Sequence, residues 1–345
     1  MEEMLDFIGK NIGSFSDDRA LVSDNAKAYD INKNNFYPVS SWESSKPIAF
    51  IDGGSSVFIQ SPSLCVGFIR VVCVLMVKKK TIRTITNELY CVSSAHNEGD
   101  KIIYRNKYFR AKNSRWCIPD TKLDSLDPSI TNGIERFPLQ NMINIARRFL
   151  ELDLAAEAID FTDEDGIVVL DGNLRACYPG EEDRLNKLYE KAKEKNVLVS
   201  ALSKTSNTIT TKGDTLNAAL FNSTELEQWY YHPAYVPMSK EHKAEVFFVR
   251  LHKLSKYIFT VDVQKDQAGE ADMEKVLGFF AYYSRDAAFP GYLYGLVKAD
   301  LLARVSNRET EMLLTRFSSM NPSLFNLIKP YISCLDAHSV LDNMG

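Results

Sequence analysis

Ile48-Ala49-Phe50-Ile51-Asp52-Gly53-Gly54 is an apolar run that ends in an aspartate and two glycines, and Ile167-Val168-Val169-Leu170-Asp171-Gly172 repeats the pattern over a hundred residues later. Four consecutive apolar residues of this kind suit a strand buried on both faces of a sheet. The aspartate then falls where the strand leaves the sheet, at the place where a cleft can open. A carboxylate there is costly unless it shares a cation or moves a proton. The following glycine lets a backbone, a phosphate or a metal come close. Either Asp-Gly on its own is an ordinary turn signal. The two together, on strands in this order, point to a catalytic pair.

Around these two stretches the chain has the bulk character of a globular protein. It has 345 residues, 45% of them hydrophobic and 25% charged, with a formal net charge of −4. That balance argues against nonspecific nucleic-acid binding by the whole surface, but leaves room for a local basic groove. The start, Met1-Glu2-Glu3-Met4-Leu5, is acidic and is not a signal peptide. The apolar stretch from Leu64 to Val77 is interrupted by Arg70 and is too short to cross a bilayer. A cytoplasmic location and no membrane association are expected. The six cysteines are scattered without a CxxC pair, which argues against a zinc ribbon or a disulfide framework.

The order of elements follows from periodicity. Residues 1–46 read as a polar segment with a short helix at the start. Strands are expected at 47–58, 64–78 and 81–93, joined by short connections into an antiparallel meander. Residues 95–132 read as an irregular polar insertion. Met142, Ile145, Ala146, Phe149, Leu152, Ala156 and Ile159 mark a helix over about 135–160. The strand at 167–171, a charged helix at 181–195 and a strand at 197–202 follow. A second irregular insertion covers 205–243, then a hairpin of 245–251 and 256–263, helices near 270–284 and 291–306, and a helical C-terminal segment, 307–345. Three meandering strands, a helix and a parallel strand are the order of the ribonuclease H-like α/β fold, a mixed sheet with flanking helices. In that fold the first and fourth strands are neighbours, which would put Asp52 and Asp171 in one cleft.

Two-metal phosphodiester chemistry needs three or four carboxylates around a pair of divalent ions about 3.5–4 Å apart, and hard oxygen ligands suit Mg²⁺ or Mn²⁺. Glu151 is the best third carboxylate, because Leu154, Ala155 and Ala158 place it on a mostly apolar helix face. Glu157, nearer the helix end, and Glu135, a first-turn residue favoured by the helix dipole, are weaker alternatives, and a solvated helix residue is the plain reading of Glu151 alone. Asp300, among Leu296, Val297 and Leu301, is a fourth candidate; its competing reading is an interhelical salt bridge. Lys204, after the strand at 197–202, could contact a phosphate or simply be solvated. In the stretch from Lys101 to Trp116, Arg105, Lys107, Arg110, Lys112 and Arg115 could meet phosphates while Tyr104, Tyr108, Phe109 and Trp116 stack on bases; a charged hairpin is the competing reading. Asp336-Ala337-His338, though followed by Ser339, is not read as a hydrolase triad, and His96, His232, His242 and His252 show no metal-ligand spacing.

These pieces resemble the NurA nuclease family, DNA-end-processing enzymes that work with the hexameric ATPase HerA. The resemblance is carried by Ile51-Asp52-Gly53-Gly54-Ser55, the Arg148/Glu151 helix, Val169-Leu170-Asp171-Gly172-Asn173-Leu174, Val199-Ser200-Ala201-Leu202-Ser203-Lys204-Thr205-Ser206, and the segment from Pro290-Gly291-Tyr292 to Ala299-Asp300. It covers about 46–306 in order and spacing, though no piece is specific alone. It implies a homodimer with a central DNA channel, Mn²⁺-dependent 5′→3′ exonuclease and single-strand endonuclease activity, and a role in DNA end resection with a HerA-type ATPase. Asp52, Glu151 and Asp171 match the metal-binding acids and Lys204 the basic residue after the fifth strand. Asp300 stands where relatives commonly have histidine, which puts metal preference in question. Two further classes compete: an actin-like or sugar-kinase ATPase, which also repeats Asp-Gly strands but needs a later glycine pair that this chain lacks, and a non-catalytic adaptor of a DNA-translocating ATPase.

Overall fold

The computed structural model describes residues 1–11, 18–23, 25–131, 135–162 and 164–333. The chain is mixed α/β, built on a large, mostly antiparallel sheet. One side of it is a long meander: β3 (Ile48–Gln60), β4 (Leu64–Val77), β5 (Lys80–Glu98), β6 (Lys101–Arg110) and β7 (Thr121–Asp124). Each strand in it pairs antiparallel with the next. Helix α2 (Asn141–Ala158) then leads to β8 (Ile167–Asp171), and α3 (Glu181–Glu194) to β9 (Leu198–Ser203). β8 lies parallel to β3 and β9 parallel to β8. The sheet continues through β13 (Phe259–Gln264), β12 (Ala244–Arg250), β10 (Trp229–Tyr231) and β2 (Phe36–Pro38), all antiparallel. A small separate ribbon pairs β1 (Ala26–Ala28) with β11 (Tyr235–Pro237).

Alternation along the central strands divides the core into two layers. Ala49, Ile51, Val168, Leu170, Val199 and Ala201 face one way, onto α2 and α3. Ile48, Phe50, Ile167, Val169 and Leu202 face the other way, onto α6 (Met273–Tyr283) and α7 (Tyr294–Ala303). Both faces are covered, which is why these strands read as continuous apolar runs. Among the described residues the further α-helices are α1 (Glu2–Asn11), α4 (Leu216–Asn222), α5 (Lys265–Glu270), α8 (Asn307–Met320) and α9 (Pro322–Ser333). Among the described residues no helix is long and apolar enough to cross a membrane.

Helix α7 is set by close backbone packing. A Cβ on Gly295 would collide with the Phe50 ring, and a Cβ on Gly54 with the Ala303 carbonyl. The helix therefore lies beside β3 and runs in the same direction. From Gly295 to Ala303 it climbs about 12 Å, while β3 climbs about 13 Å from Phe50 to Gly54. That match carries Asp300 up alongside Asp52. Gly295→Ala is expected to cost about 1–3 kcal/mol through overpacking, seen as a lower urea midpoint with an unchanged denaturant slope.

Several expectations are corrected. Residues 95–132 are not an irregular insertion: they complete β5 and supply β6 and β7. The segment 205–243 holds α4, β10 and β11, and 1–46 contributes β1 and β2 as well as a helix. Residues 334–345, with Asp336-Ala337-His338 and the end of the expected C-terminal segment, lie outside the described residues.

Candidate active site

Because β3 and β8 pair in parallel with Ile51 opposite Leu170, the next register position sets Asp52 opposite Asp171. Residues opposite each other share a face, and neighbouring strands lie about 4.8 Å apart. The two carboxylates are thus brought to one point of the sheet by register alone. Asp52, Glu151, Asp171 and Lys204 line a single cleft. Asp300 joins it through Lys204, whose Nζ lies 2.7 Å from Asp171 Oδ2 and 3.7 Å from Asp300 Oδ1. Asp300 also pairs with Arg304 at 2.7 Å, so the interhelical salt-bridge reading becomes an intrahelical one.

Glu151 is buried on α2. Arg147 donates to its Oε1 at 2.7 Å and to the Gly53 carbonyl at 2.9 Å. Arg148 lies 3.8 Å from its Oε2. A Cβ on Gly53 would stand 2.5 Å from Glu151 Oε1, so the glycine after Asp52 is what lets the helix carboxylate reach β3, which does not end at Asp52 as expected but continues along β4 to Gln60. Gly53→Ala is expected to leave the fold near its normal stability, since a side-chain end can yield. It displaces Glu151, and a misplacement of about 1 Å can cost roughly 10²-fold in rate. Activity measured beside a thermal melt separates the two effects.

The electrostatics are uneven. Asp52 is buried, accepts a hydrogen bond from the Gly53 amide (2.7 Å), and has no Lys or Arg at ion-pair distance among the described residues. Burial first, then the charges of Asp171 and Glu151, push its carboxyl up to about 8 against the opposing pull of Lys204. Glu151 is also raised, by burial ahead of the partial compensation from Arg147 and Arg148. Burial pulls Lys204 down, but its hydrogen bond to Asp171 and the charges of Asp171, Asp52 and Asp300 leave it above its ordinary value. Asp52 is therefore a buried carboxylate that no protein cation pairs among the described residues, a condition that a bound cation relieves.

Among the described residues no three His, Cys, Asp or Glu side chains already stand close enough to cage an ion. The reason is visible: Glu151 is turned onto Arg147, and Asp171 onto Lys204. The donor chemistry still fits a hard divalent cation, because every acidic group here offers carboxylate oxygen.

Two supports were not read from the sequence as site residues. Tyr292 donates to Asp171 Oδ1 at 3.0 Å and is fully buried; it packs on Phe289 and Phe259. Burial and the carboxylate beside it raise its phenol above the ordinary range, so it remains a donor. Arg148 donates to Glu181 Oε1 and to the Asn173 carbonyl, both at 2.7 Å. Glu181, itself buried, takes the amides of Cys177 and Tyr178. This network ties the loop after Asp171 to α2 and α3. Gly291-Tyr292 was visible as a motif, but nothing in it told whether the ring was core or site.

The basic stretch divides by strand alternation. Arg105, Lys107 and Phe109 are exposed on one face of β6, while Tyr104, Asn106 and Tyr108 are buried on the other. Base stacking by Tyr104 and Tyr108 is therefore corrected: the Tyr108 hydroxyl bonds Thr121 and Asn106 inside the core. Arg115 and Trp116 both hold Glu157, at 2.5 and 2.6 Å; that withdraws Glu157 from the site and gives Trp116 a structural role. Arg105 pairs with Glu98 at 2.6 Å. Arg110 and Lys112 are exposed. β6 is three strands from β3, about 15 Å away at ordinary spacing, so this face does not belong to the cleft.

No protein-family model matches the chain, and no curated protein matches it. Among solved structures it is similar to the NurA nuclease from Sulfolobus solfataricus, with a TM-score of 0.49 and 16% identity over 84% of this chain and 88% of that one. It is also similar to Ciona intestinalis endonuclease V in complex with a 24-mer DNA containing an inosine followed by a ribo-adenosine, with a TM-score of 0.40 and 10% identity over 88% and 96% of the two chains. The catalytic domain of human endonuclease V gives a TM-score of 0.39 and 9% identity over 79% and 89%. The NurA likeness read from the sequence recurs among these solved structures.

Proposed function

We propose that the chain is a ribonuclease H-like, divalent-metal-dependent DNA nuclease. The observation that carries this reading is the parallel register that sets Asp52 opposite Asp171, with Glu151 and Lys204 lining the same cleft. Asp52, Asp171 and Glu151 would hold the metal, two Mn²⁺ or Mg²⁺ ions in the full form of the reading, with Asp300 at the margin. When bound, divalent ions supply an activated water and neutralise charge on the leaving oxygen. Tyr292 keeps Asp171 aimed by donating to one of its oxygens, leaving the other to Lys204. The Lys204 ammonium, once exchanged from Asp171, is placed to meet a phosphate oxygen. Arg148 fixes the Asn173 carbonyl and so the backbone that follows Asp171.

The sequence resemblance extends the proposal to single-strand endonuclease and 5′→3′ exonuclease action at single- and double-stranded DNA ends, by a homodimer working with a HerA-type hexameric ATPase. Exposed Arg105, Lys107, Arg110 and Lys112 would then serve as an outlying phosphate-contacting face. The ion pairs that engage Glu151 and Asp171 favour one second reading, a non-cleaving adaptor in which protein cations permanently take the metal's place. End-labelled single- and double-stranded DNA incubated with Mn²⁺, Mg²⁺ or EDTA separates the two. Cleavage with a divalent ion and none in EDTA is expected; binding to a DNA-translocating ATPase with no cleavage in any metal is what the adaptor reading predicts.

A further inference from the structure

Beside the acidic cleft lies a second cavity of about 540 Å³, within the roughly 300–1,000 Å³ of ordinary small-ligand sites. The two are contiguous: Asn173, Arg175, Ser203 and Thr205 line both. The ridge between them is fixed rather than loose. Ser203 Oγ donates to the Gly172 carbonyl at 2.7 Å, the Leu174 amide donates to buried Asp262 at 3.0 Å, and His242 Nε2 lies 2.8 Å from the same Asp262 oxygen. Arg175 pairs by backbone with His242, and its side chain is exposed between the two lobes.

The walls of this side cavity are unlike a greasy ligand pocket. They carry hydroxyl and amide groups, among them Ser206, Asn207 and Thr208, two rings, the Tyr235 phenol and the His242 imidazole, and the Asp262 carboxylate that His242 holds. Ser206 Oγ donates to Thr208 Oγ1 at 3.2 Å. Tyr235 is braced edge-on against Phe248 at 6.0 Å. A rigid ring, a set of two-way hydrogen-bonding groups and a cation at the entrance together suit a planar polar heterocycle joined to an anion. The anion must sit at the shared ridge, next to the acidic cleft. A base held in a duplex stack cannot enter such a lobe without being extruded.

We propose that this side lobe receives one unpaired nucleotide of the strand being cut, its base among Tyr235, Thr208 and Asn207 and its phosphate against Arg175, so that the adjoining phosphodiester falls at Asp52 and Asp171. The inference rests on the nuclease reading above and sets its substrate requirement: a single unpaired nucleotide beside the scissile bond, selected by shape and hydrogen bonding.

The test uses the full chain in two assays. In EDTA, fluorescence anisotropy measures binding of a short labelled single strand, of the same strand with abasic sites throughout, and of a hairpin duplex. With Mn²⁺, cleavage is mapped on single strands carrying one abasic site at successive positions. The single strand is expected to bind more tightly than the abasic strand or the duplex by about tenfold or more, the worth of one stacked and hydrogen-bonded base. One abasic site is expected to suppress the cut at one neighbouring bond. Ser206→Trp fills the lobe and Asn207→Ala trims an exposed wall residue; both are expected to weaken single-strand binding, with melting curves reporting on the fold. Base-dependent binding without cleavage would keep the lobe and remove the nuclease reading. Cleavage indifferent to abasic sites and to both variants would remove the lobe and keep the nuclease. Neither binding nor cleavage would overturn both.

Discussion

Asp52→Asn is expected to abolish metal-dependent DNA cleavage and at the same time to make the metal-free protein more stable. Both effects come from one carboxylate. As a ligand opposite Asp171, Asp52 contributes charge that only a bound cation balances; its loss should lower cleavage by roughly 10³-fold or more, equivalent to several kcal/mol of transition-state stabilisation. Without metal the same charge is a burden, since burial, Asp171 and Glu151 push its carboxyl up to about 8 from an ordinary value of 3.8. The folded chain therefore holds a proton on Asp52 that the unfolded chain releases between about pH 4 and pH 8. In that window the native state binds more protons than the unfolded state, so stability falls as pH rises. The penalty is absent below pH 4 and complete above about pH 8. Urea midpoints in EDTA should coincide for wild type and variant at low pH and separate by on the order of a few kcal/mol in favour of the variant at pH 8. A catalytically dead variant without that gain would mean that Asp52 is not held as an uncompensated charge.

Arg148→Met has the largest expected cost to the fold. Arg148 is almost enclosed, yet it bonds Glu181 and the Asn173 carbonyl and stands 3.8 Å from Glu151. Glu181 has only 1% of its surface exposed. Removing the guanidinium strands that carboxylate beside a second buried one. Breaking a buried pair from one side costs about 3–5 kcal/mol. The Cys177 and Tyr178 amides still neutralise part of the charge on Glu181, so the lower part of that range is expected, as a drop in urea midpoint. Adding Glu181→Gln should recover part of the loss, because the amide keeps an acceptor for the backbone while removing the orphaned charge. If the single variant is as stable as wild type, the loop after Asp171 is not held in the way described.

The site was legible where chemistry and register coincide. Asp171-Gly172 ends β8, whereas Asp52-Gly53 lies within β3 at the point where its pairing with β8 stops, and equal distance from the strand start brings the two aspartates opposite each other. Glu151 showed itself as a charge on an apolar helix face. β6 was missed because its inward positions read Tyr104, Asn106, Tyr108: a buried asparagine interrupts the apolar alternation. Only the fold reveals that Asn106 is satisfied by Ser93, Tyr108 and the Met142 carbonyl. The β4–β5 hairpin turns on Lys78 and Lys79, both with positive φ, where Asn-Gly would have been the expected signal; its flanking apolar strands gave it away instead. β10 and β2 are three-residue strands at the end of the sheet, too short for any period to register. The roles of Tyr292 and Arg148 depend on partners far away in sequence, Asp171 and Glu181, and no local pattern carries that information.

The central claim is that Asp52 and Asp171 jointly form a cation site. Calorimetric titration of the metal-free protein with Mn²⁺ tests it directly. Saturable binding is predicted for wild type, lost in Asp52→Asn and in Asp171→Asn while both variants remain folded. Binding of unchanged strength in either variant, or no binding to the wild type, would contradict it.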